Sequence, residues 1–216
     1  MRHGNIGKVV LGFALAAGAA SAGADVINET NSAALEWGLS GSGNPITQGP
    51  VTLYPAGITV AGATGAILDV NLTLNDGSID DSEDLNMVLV SPAGTVVEIW
   101  RGAGGADPVA GSVTFDDEAA GVIPDSTFPG GSGVYQPSLH GGLSGVVTNP
   151  LADGSTLSLF DGEDANGTWE LYVYDAWAGG TGSFAGGWTL DIVTVPTPAA
   201  ASILAFGCIG MTRRRR

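Results

Sequence analysis

An all-β fold, a single antiparallel β-sandwich of jelly-roll type, is predicted by three features of this 216-residue sequence. Apolar and polar residues alternate with a period of two along several stretches between Val51 and Val193. Turns that contain glycine or proline separate these stretches at short intervals. No long stretch between the two terminal segments carries the 3.6-residue period of an amphipathic helix. Many short strands with tight turns and no helices are typical of sandwiches and jelly rolls.

The predicted strands follow this alternation in chain order. Polar residues such as Asp69, Asn71 and Thr73 stand between apolar ones, which indicates strands with one face in the core. The apolar positions of these strands are Leu68, Val70, Leu72 and Leu74; Leu85, Met87 and Leu89; Val97, Ile99 and Trp100; Trp169, Leu171 and Val173; and Trp188, Leu190 and Ile192.

Three segments carry the residues that chain reversals require. Asn75-Asp76-Gly77 and Ser91-Pro92-Ala93-Gly94 combine glycine with proline, asparagine or aspartate, and Gly179-Gly180-Thr181-Gly182 precedes the last strand. Glycine adopts positive φ without steric cost, and proline fixes the φ that a turn needs. We therefore predict turns at all three places.

The first 24 residues have the features of a secretory signal peptide. A basic start with Arg2 and Lys8 precedes an apolar run, which ends in the small residues Ala22-Gly23-Ala24. Signal peptidase would cleave this pattern before Asp25. The alternative, an N-terminal membrane helix, needs about 20 apolar residues, and glycine and serine interrupt this run too early. The polar residues 25–50 are then a lead-in segment with room for one edge strand, and the sandwich spans residues 51–193.

In residues 194–216 a proline motif, Pro196-Thr197-Pro198, precedes an apolar segment, predicted to be a helix outside the fold, and a terminal basic cluster. This arrangement resembles a PEP-CTERM sorting tail. The resemblance implies transient membrane insertion, with the basic residues on the cytoplasmic side, and cleavage by an exosortase-type enzyme. The family has glutamate where Thr197 stands, and a retained membrane anchor is the alternative. The motif residues are Pro196, Thr197, Pro198, Arg213, Arg214, Arg215 and Arg216.

The stretch between the two terminal segments is strongly acidic. All 22 acidic residues lie between Asp25 and Asp191, and Arg101 is the single Lys or Arg among them, which gives this stretch a formal charge of −21. Such a surface repels nucleic acid and anionic lipid, so neither is expected as a partner. Self-repulsion on this scale favours either salty surroundings or bound cations.

Several sequence pieces of the predicted strands and turns form a recognisable series. They are Asp84 to Thr95, Thr114 to Ala119, Tyr135 to Pro137, Leu157 to Gly162, Asn166 to Asp175, Gly182 to Phe184 and Gly187 to Leu190. In order and spacing, these pieces resemble the P domain that accompanies subtilisin/kexin-type serine proteases. The sequence departs from that family at Asn75, where a histidine is common, and in an acidic insertion at 77–83.

Catalytic residues of a serine protease are not expected in this chain. Residues 25–216 hold one histidine, His140, in a glycine-rich stretch that superficially suggests an oxyanion loop. No Gly-x-Ser-x-Gly elbow is present, and the lead-in is too short for a protease domain. We therefore predict a non-catalytic protein.

Calcium is the predicted ligand of the acidic loops. Ca²⁺ takes about six to eight oxygen ligands, which carboxylates supply. Acidic residues cluster at 76–84, 116–118 and 161–166, without the spacing of an EF-hand. The candidate ligands are Asp84, Asp116, Asp117 and Asp175, because they belong to the segments that match the P domain. Solvated acidic loops are the alternative at each cluster.

The tryptophans divide into two groups. Trp169 and Trp188 occupy alternating positions and are predicted to anchor the core rather than stack on a ligand. Trp37 and Trp177 stand in loop-like sequence, so they are candidates for exposed ligand contacts, with packing onto the surface as the alternative.

Three functions are compatible with this sequence. The first is an exported structural or interaction module of the cell surface or extracellular matrix, whose partner is a polysaccharide or a surface protein. The second, which rests on the resemblance alone, is an accessory of a separate subtilisin-like protease. The third is a carbohydrate-binding module that uses exposed aromatics and loop calcium.

Overall fold

A computed structural model describes residues 24–38, 48–141 and 148–195, which fall within one compact unit, Gly23–Pro198. The predicted signal segment, the apolar C-terminal helix and the sorting motif from Pro196 onward lie outside these ranges. The described residues contain no helix with the length and apolar character that crossing a bilayer requires.

The described chain is all-β, as predicted. Two 3₁₀ turns, Ser82–Asp84 and Leu157–Phe160, interrupt the strands. The strands are β1 Asp25–Asn31, β2 Leu35–Trp37, β3 Gly49–Pro50, β4 Ala56–Val60, β5 Ala66–Ile79, β6 Leu85–Val90, β7 Val96–Arg101, β8 Val109–Phe115, β9 Gly133–Tyr135, β10 Ser138–Leu139, β11 Gly167–Asp175, β12 Gly182–Phe184 and β13 Trp188–Val195.

The strands form two sheets that pack as a sandwich, which confirms the predicted fold class. The first sheet has the order β1-β13-β5-β12-β2, and β8 and β9 extend it from β5. The second has the order β10-β7-β6-β11-β3, and β4 also pairs with β11. Most pairs are antiparallel, but β8–β9 and β7–β10 are parallel, so both sheets are mixed. Residues 25–50, predicted as a lead-in, contribute β1, β2 and β3 to these sheets.

The core lies between the sheets and is built on aromatic side chains. Trp169 and Trp188 are fully buried, as the alternation predicts, and Trp100 is fully buried as well. Trp169 packs edge-on against Phe160, with ring centroids 5.0 Å apart, and its indole N–H donates to the Ala165 carbonyl at 3.0 Å. Burial of these large apolar side chains supplies the main stabilisation of such a fold.

The long strand β5 contains two bulges that the period-two pattern does not predict. Opposite Val193 and Thr194 the register shifts by one residue, so Leu68 is the extra residue. Leu68 is 53% exposed, and Ile67, 2% exposed, takes the core position. The prediction that Leu68 faces the core is therefore wrong, because a bulge reverses the alternation on one side of it.

The segment Asn75-Asp76-Gly77 is the second bulge and not a turn. β5 continues through it, with a register shift against β8 between Leu74 and Gly77. Asp76 adopts a positive φ of 53°, a conformation that aspartate tolerates better than most residues. Its amide N–H donates to Ser112 Oγ at 3.1 Å. In contrast, Ser91 to Gly94 forms the predicted turn between β6 and β7.

The bulge at Leu68 generates a testable contrast between neighbouring residues. Ile67→Ala removes buried methyl groups and is expected to lower the free energy of unfolding by about 2–5 kcal/mol. Leu68→Ala removes a half-exposed side chain and is expected to change it by less than about 1 kcal/mol. Urea unfolding of the purified variants measures both values. The reverse order would contradict the bulge.

Candidate functional site

The acids Asp84 and Asp175 come together where β6 begins and β11 ends. Asp84 closes the first 3₁₀ turn directly before β6, and Asp175 is the last residue of β11. β6 and β11 are antiparallel neighbours in which Asp175 faces Leu85. The Ala176 amide donates a hydrogen bond to the Asp84 carbonyl at 2.7 Å, which joins the residue before β6 to the residue after β11. Strand pairing therefore joins two acids from distant parts of the sequence.

The Asp84 carboxylate is buried without a counterion. The residue is 7% exposed, and its side chain has no hydrogen-bond partner among the described residues. Burial, followed by the charges of Asp81, Asp175 and Glu83, raises the pKa of Asp84 to about 7. A desolvated carboxylate beside other carboxylates favours its neutral form, which is the physical cause of this shift.

Asp175 is buried like Asp84, but its carboxylate has one hydrogen-bond partner. It is 1% exposed, and its Oδ1 accepts a hydrogen bond from the Trp177 amide at 3.2 Å. Burial is the main cause that raises the pKa of Asp175 to about 6, and the charge of Asp81 adds to it, whereas the hydrogen bond from Trp177 opposes it. The same hydrogen bond fixes the start of the loop that carries Trp177.

A third acid, Asp81, completes the group, which we call the Asp84 cluster (Asp81, Asp84 and Asp175). Burial and the charge of Asp80 raise the pKa of Asp81, and its buried Oδ1 has no hydrogen-bond partner in the described part of the chain. Asp81 belongs to the segment that the sequence marked as an insertion. A cavity of about 390 Å³ opens beside the cluster. Its lining comprises Asp80, Asp81, Glu83, Asp84, Trp177, Ala178, Gly179 and Gly180.

Gly180 lies where the loop approaches Asp84. A side-chain Cβ at Gly180 would lie 3.1 Å from Asp84 Oδ2 and 3.8 Å from Asp81 Cβ. A larger residue would therefore make a close contact with the Asp84 carboxylate.

Arg101, the single Lys or Arg between Asp25 and Asp191, does not neutralise the Asp84 cluster. Its Nε lies 3.1 Å from Glu98 Oε1, and its Nη1 donates to the Gly141 carbonyl at 2.8 Å. The three carboxylates are consequently left without a cationic side chain from the described residues.

The other two predicted calcium ligands, Asp116 and Asp117, lie in a separate group, where they accept hydrogen bonds from backbone amides. Both Asp117 oxygens accept from backbone amides at the second 3₁₀ turn, from Leu157 at 3.1 Å and from Ser158 at 2.8 Å. Asp116 Oδ1 accepts from the Glu118 amide at 2.7 Å. The structure thus divides the four predicted ligands into two pairs, of which the Asp84–Asp175 pair is buried and the Asp116–Asp117 pair is partly exposed.

The carboxylates do not form a ready-made metal cage. In the ranges that the structure describes, no group of three or more His, Cys, Asp or Glu side chains is arranged to hold a metal ion. The buried Oδ1 of Asp81, which has no hydrogen-bond donor in the described part of the chain, nevertheless suits a cation chemically. Carbonyl, water or ligand oxygens would have to complete the coordination of a calcium ion.

The prediction that Trp37 is an exposed contact is wrong. Trp37 is 1% exposed and ends β2, where its ring lies 6.0 Å from that of Phe184. A Cβ at Gly182 would lie 2.3 Å from Trp37 Cζ2, so the opposite strand makes room for the indole. The period-two spacing of Leu35 and Trp37 around Glu36 was the sequence signal for burial. Trp177, in contrast, is 47% exposed.

His140 makes contacts to backbone groups. Its Nε2 lies 2.8 Å from the Ile123 carbonyl oxygen, and its amide donates to the Arg101 carbonyl at 2.7 Å. These contacts tie the segment after β10 to its neighbours. Ser144, the nearest serine that follows it in sequence, lies outside the described residues.

Comparison with known proteins identifies no family. No protein-family model matches the chain, and no curated protein matches it. Among solved structures, a serine protease of Aeromonas sobria in complex with its chaperone has 18% identity and a TM-score of 0.36, with 82% of this chain and 27% of that chain covered. The protease by itself has 17% identity and a TM-score of 0.33, with 81% and 27% covered. At these scores the likeness carries no argument about function.

The raised pKa values predict an unusual pH dependence of stability. With a pKa of about 7 in the folded protein and an ordinary value of 3.8, Asp84 keeps its proton on folding at pH values where the unfolded chain loses it. The favourable contribution of the protonated Asp84 side chain to the free energy of unfolding is fully present below pH 3.8. It is lost as the pH rises through 7. In EDTA, Asp84→Asn is therefore expected to raise the free energy of unfolding at pH 8 by about 2 kcal/mol or more, and to change it little at pH 4.

Urea unfolding at the two pH values measures this difference. Asp125→Asn is the matched control, because it removes one carboxylate from an exposed position. Equal effects of the two substitutions at pH 8 would mean that overall charge, and not the burial of Asp84, governs the stability.

Proposed function

We propose that this protein is an exported, non-catalytic interaction module of the cell surface or extracellular matrix, and that calcium bound at the Asp84 cluster stabilises it. The observation that carries the proposal is the pair of buried acids Asp84 and Asp175, which no cationic side chain among the described residues neutralises. At neutral pH an external positive charge would stabilise such a pair in its ionised form.

Electrostatics favours a divalent cation over a monovalent one. Asp84 and Asp175 lose hydration on burial and repel each other and Asp81, so one ion with two charges relieves both costs. Carboxylate and carbonyl oxygens are hard ligands that suit calcium, and calcium tolerates irregular coordination with bound water. Across the stretch from Asp25 to Asp191, with a charge of −21, the same ion also reduces general repulsion.

Sequence features outside the site support the location. The basic and apolar character of residues 1–24 supports export, and the PEP-CTERM-like tail at 194–216 supports processing at the cell envelope. The sequence pieces that resemble a P domain span the strands of the sandwich and support assignment to that kind of non-catalytic domain. Action as an accessory of a separate subtilisin-like protease stays a prediction that co-expression with such an enzyme would test.

Calcium is expected to raise the thermal unfolding midpoint of the protein. At a concentration about 100 times the dissociation constant, binding to the folded state contributes about 2.7 kcal/mol, which corresponds to several degrees in a domain of this size. Differential scanning calorimetry at pH 8, in buffered salt with either calcium chloride or EDTA, measures the shift.

Two variants test whether the Asp84 cluster is responsible. Asp84→Asn and Asp175→Asn are expected to abolish most of the calcium-dependent shift, and Asp125→Asn is expected to retain it. An equal midpoint in calcium and EDTA for the unchanged protein would refute calcium stabilisation. Loss of the shift in Asp116→Asn alone would move the site to the other acidic pair.

Processing of the two ends is tested on protein from its native envelope. We expect intact-mass spectrometry to find a mature chain that begins at Asp25 and ends near Pro196 to Pro198. A chain that retains residues 1–24 would contradict export by signal peptidase, and one that retains Arg213 to Arg216 would favour a permanent anchor.

A further inference from the structure

The loop between β11 and β12, which carries Trp177, is hydrogen-bonded to acidic residues at both of its ends. At the first end, the Trp177 amide donates a hydrogen bond to Asp175 Oδ1 at 3.2 Å. At the second end, Thr181 Oγ1 donates to Asp80 Oδ2 at 2.5 Å, and the Thr181 carbonyl accepts from the Asp80 amide at 3.1 Å. These bonds fix the loop relative to the acidic segment before β6.

Trp177 and the neighbouring acids line one cavity of about 390 Å³. The indole is about half-exposed, whereas the other four tryptophans are buried. Asp80 and Glu83 are exposed at the same cavity, and Asp84 is buried at it. The cavity therefore combines an accessible aromatic ring with carboxylates at exposed and buried positions.

The second observation at this cavity is the Asp84 side chain, which is more than nine-tenths buried. It accepts no hydrogen bond from the described residues, and burial with the charges of Asp81, Asp175 and Glu83 raises its pKa. Asp84 Oδ2 lies 3.1 Å from the position that a Cβ of Gly180 would take, and both residues line the cavity. The cavity thus contains a buried acceptor for which the described chain supplies no donor.

We infer that this cavity binds an arginine side chain of a partner protein, with the guanidinium stacked on the Trp177 indole and its N–H groups donating to Asp84 and to the exposed acids beside it. The inference deepens the proposed function, because it names the partner chemistry of the interaction module. It rests on that role and requires no bound calcium. Calcium and a guanidinium are alternatives at Asp84, since each uses the same carboxylate.

Charge favours a cationic ligand over a neutral or anionic one. Of the described residues that line the cavity, four are acids and none is Lys or Arg. Arg101 is paired with Glu98 instead. A neutral ligand would leave the carboxylates uncompensated, and an anionic ligand would add repulsion. Trp177 suits the same sign of charge, because the face of an indole attracts a cation more strongly than that of any other side chain.

Geometry favours arginine among the cations. In the described ranges, no group of three or more His, Cys, Asp or Glu side chains is arranged to hold a metal ion. A guanidinium does not need such an arrangement, because its five N–H donors point outward in one plane and reach acceptors that lie apart. Its flat face stacks on an aromatic ring at the same time. The ammonium of lysine is a compact and more strongly hydrated charge, which gains less from an indole beside separate carboxylates.

An NMR titration of the ¹⁵N-labelled full mature chain in EDTA tests the inference, with an acetylated and amidated Gly-Arg-Gly peptide as the probe. Matched peptides carry citrulline, which keeps the shape of arginine without its charge, or lysine. We expect the arginine peptide to shift the Trp177 indole N–H and the amides of Gly179 and Gly180. The citrulline peptide is expected to bind at least about tenfold more weakly, and the lysine peptide about threefold more weakly.

Two variants locate the binding, which is measured from the amides of Gly179 and Gly180. Trp177→Ala is expected to lower the association constant of the arginine peptide at least about threefold, and Asp84→Asn at least about tenfold. Both variants are expected to fold, because Trp177 is exposed and Asp84→Asn removes an unfavourable buried charge. The control is Asp125→Asn, which removes an exposed acid that does not line the cavity and should bind like the unchanged protein.

Equal binding of the arginine and citrulline peptides, or no binding of either, would overturn the inference. Equal losses in Asp84→Asn and Asp125→Asn would also overturn it, because general attraction to an acidic surface would then explain the binding. Equal affinity for the lysine peptide would show that a point charge is recognised and not a guanidinium, which contradicts the inference as well.

The calcium test is separate from these titrations. If calcium raises the unfolding midpoint but the arginine peptide does not bind, this inference is wrong and calcium stabilisation stands. If the arginine peptide binds as expected but calcium leaves the midpoint unchanged, calcium stabilisation is wrong and this inference stands.

Discussion

The pairing of β6 with β11 is the constraint on which the site depends. It places Asp175 opposite Leu85, and the bond from the Ala176 amide to the Asp84 carbonyl closes the junction. Two carboxylates are thereby withdrawn from water in a domain whose single arginine is bonded elsewhere. The raised pKa values, the unpartnered oxygens and the orientation of Trp177 all follow from this one juxtaposition.

The sandwich can sustain this unfavourable arrangement because its core is strong. Four tryptophans and the phenylalanines packed against them are buried between the sheets, and truncation of one such side chain typically costs about 3–5 kcal/mol. The difference between the folded and ordinary pKa of Asp84 corresponds to a few kcal/mol at neutral pH. A core of this size outweighs that cost, so the buried acids remain available for a ligand rather than preventing folding.

The two acidic pairs show that residue type does not decide the role of a carboxylate. Asp117 accepts hydrogen bonds from two backbone amides at a 3₁₀ turn and so stabilises the fold. Asp84 receives none among the described residues, although both acids stand beside further acids in sequence. The difference lies in which backbone groups happen to face each side chain, and that is set by the packing of distant segments.

The period-two alternation alone determined the all-β class and most core positions, including Trp169 and Trp188, because inward and outward side chains alternate in every strand. Composition alone determined the acidic character and the single arginine. The alternation failed at Leu68, where a bulge adds one residue, and at Trp37 it extends over only the three residues of β2. Only the tertiary structure decided that Asp84 joins Asp175 and not Asp116, because contacts between strands far apart in sequence depend on register, and register is set by the packing of both sheets together.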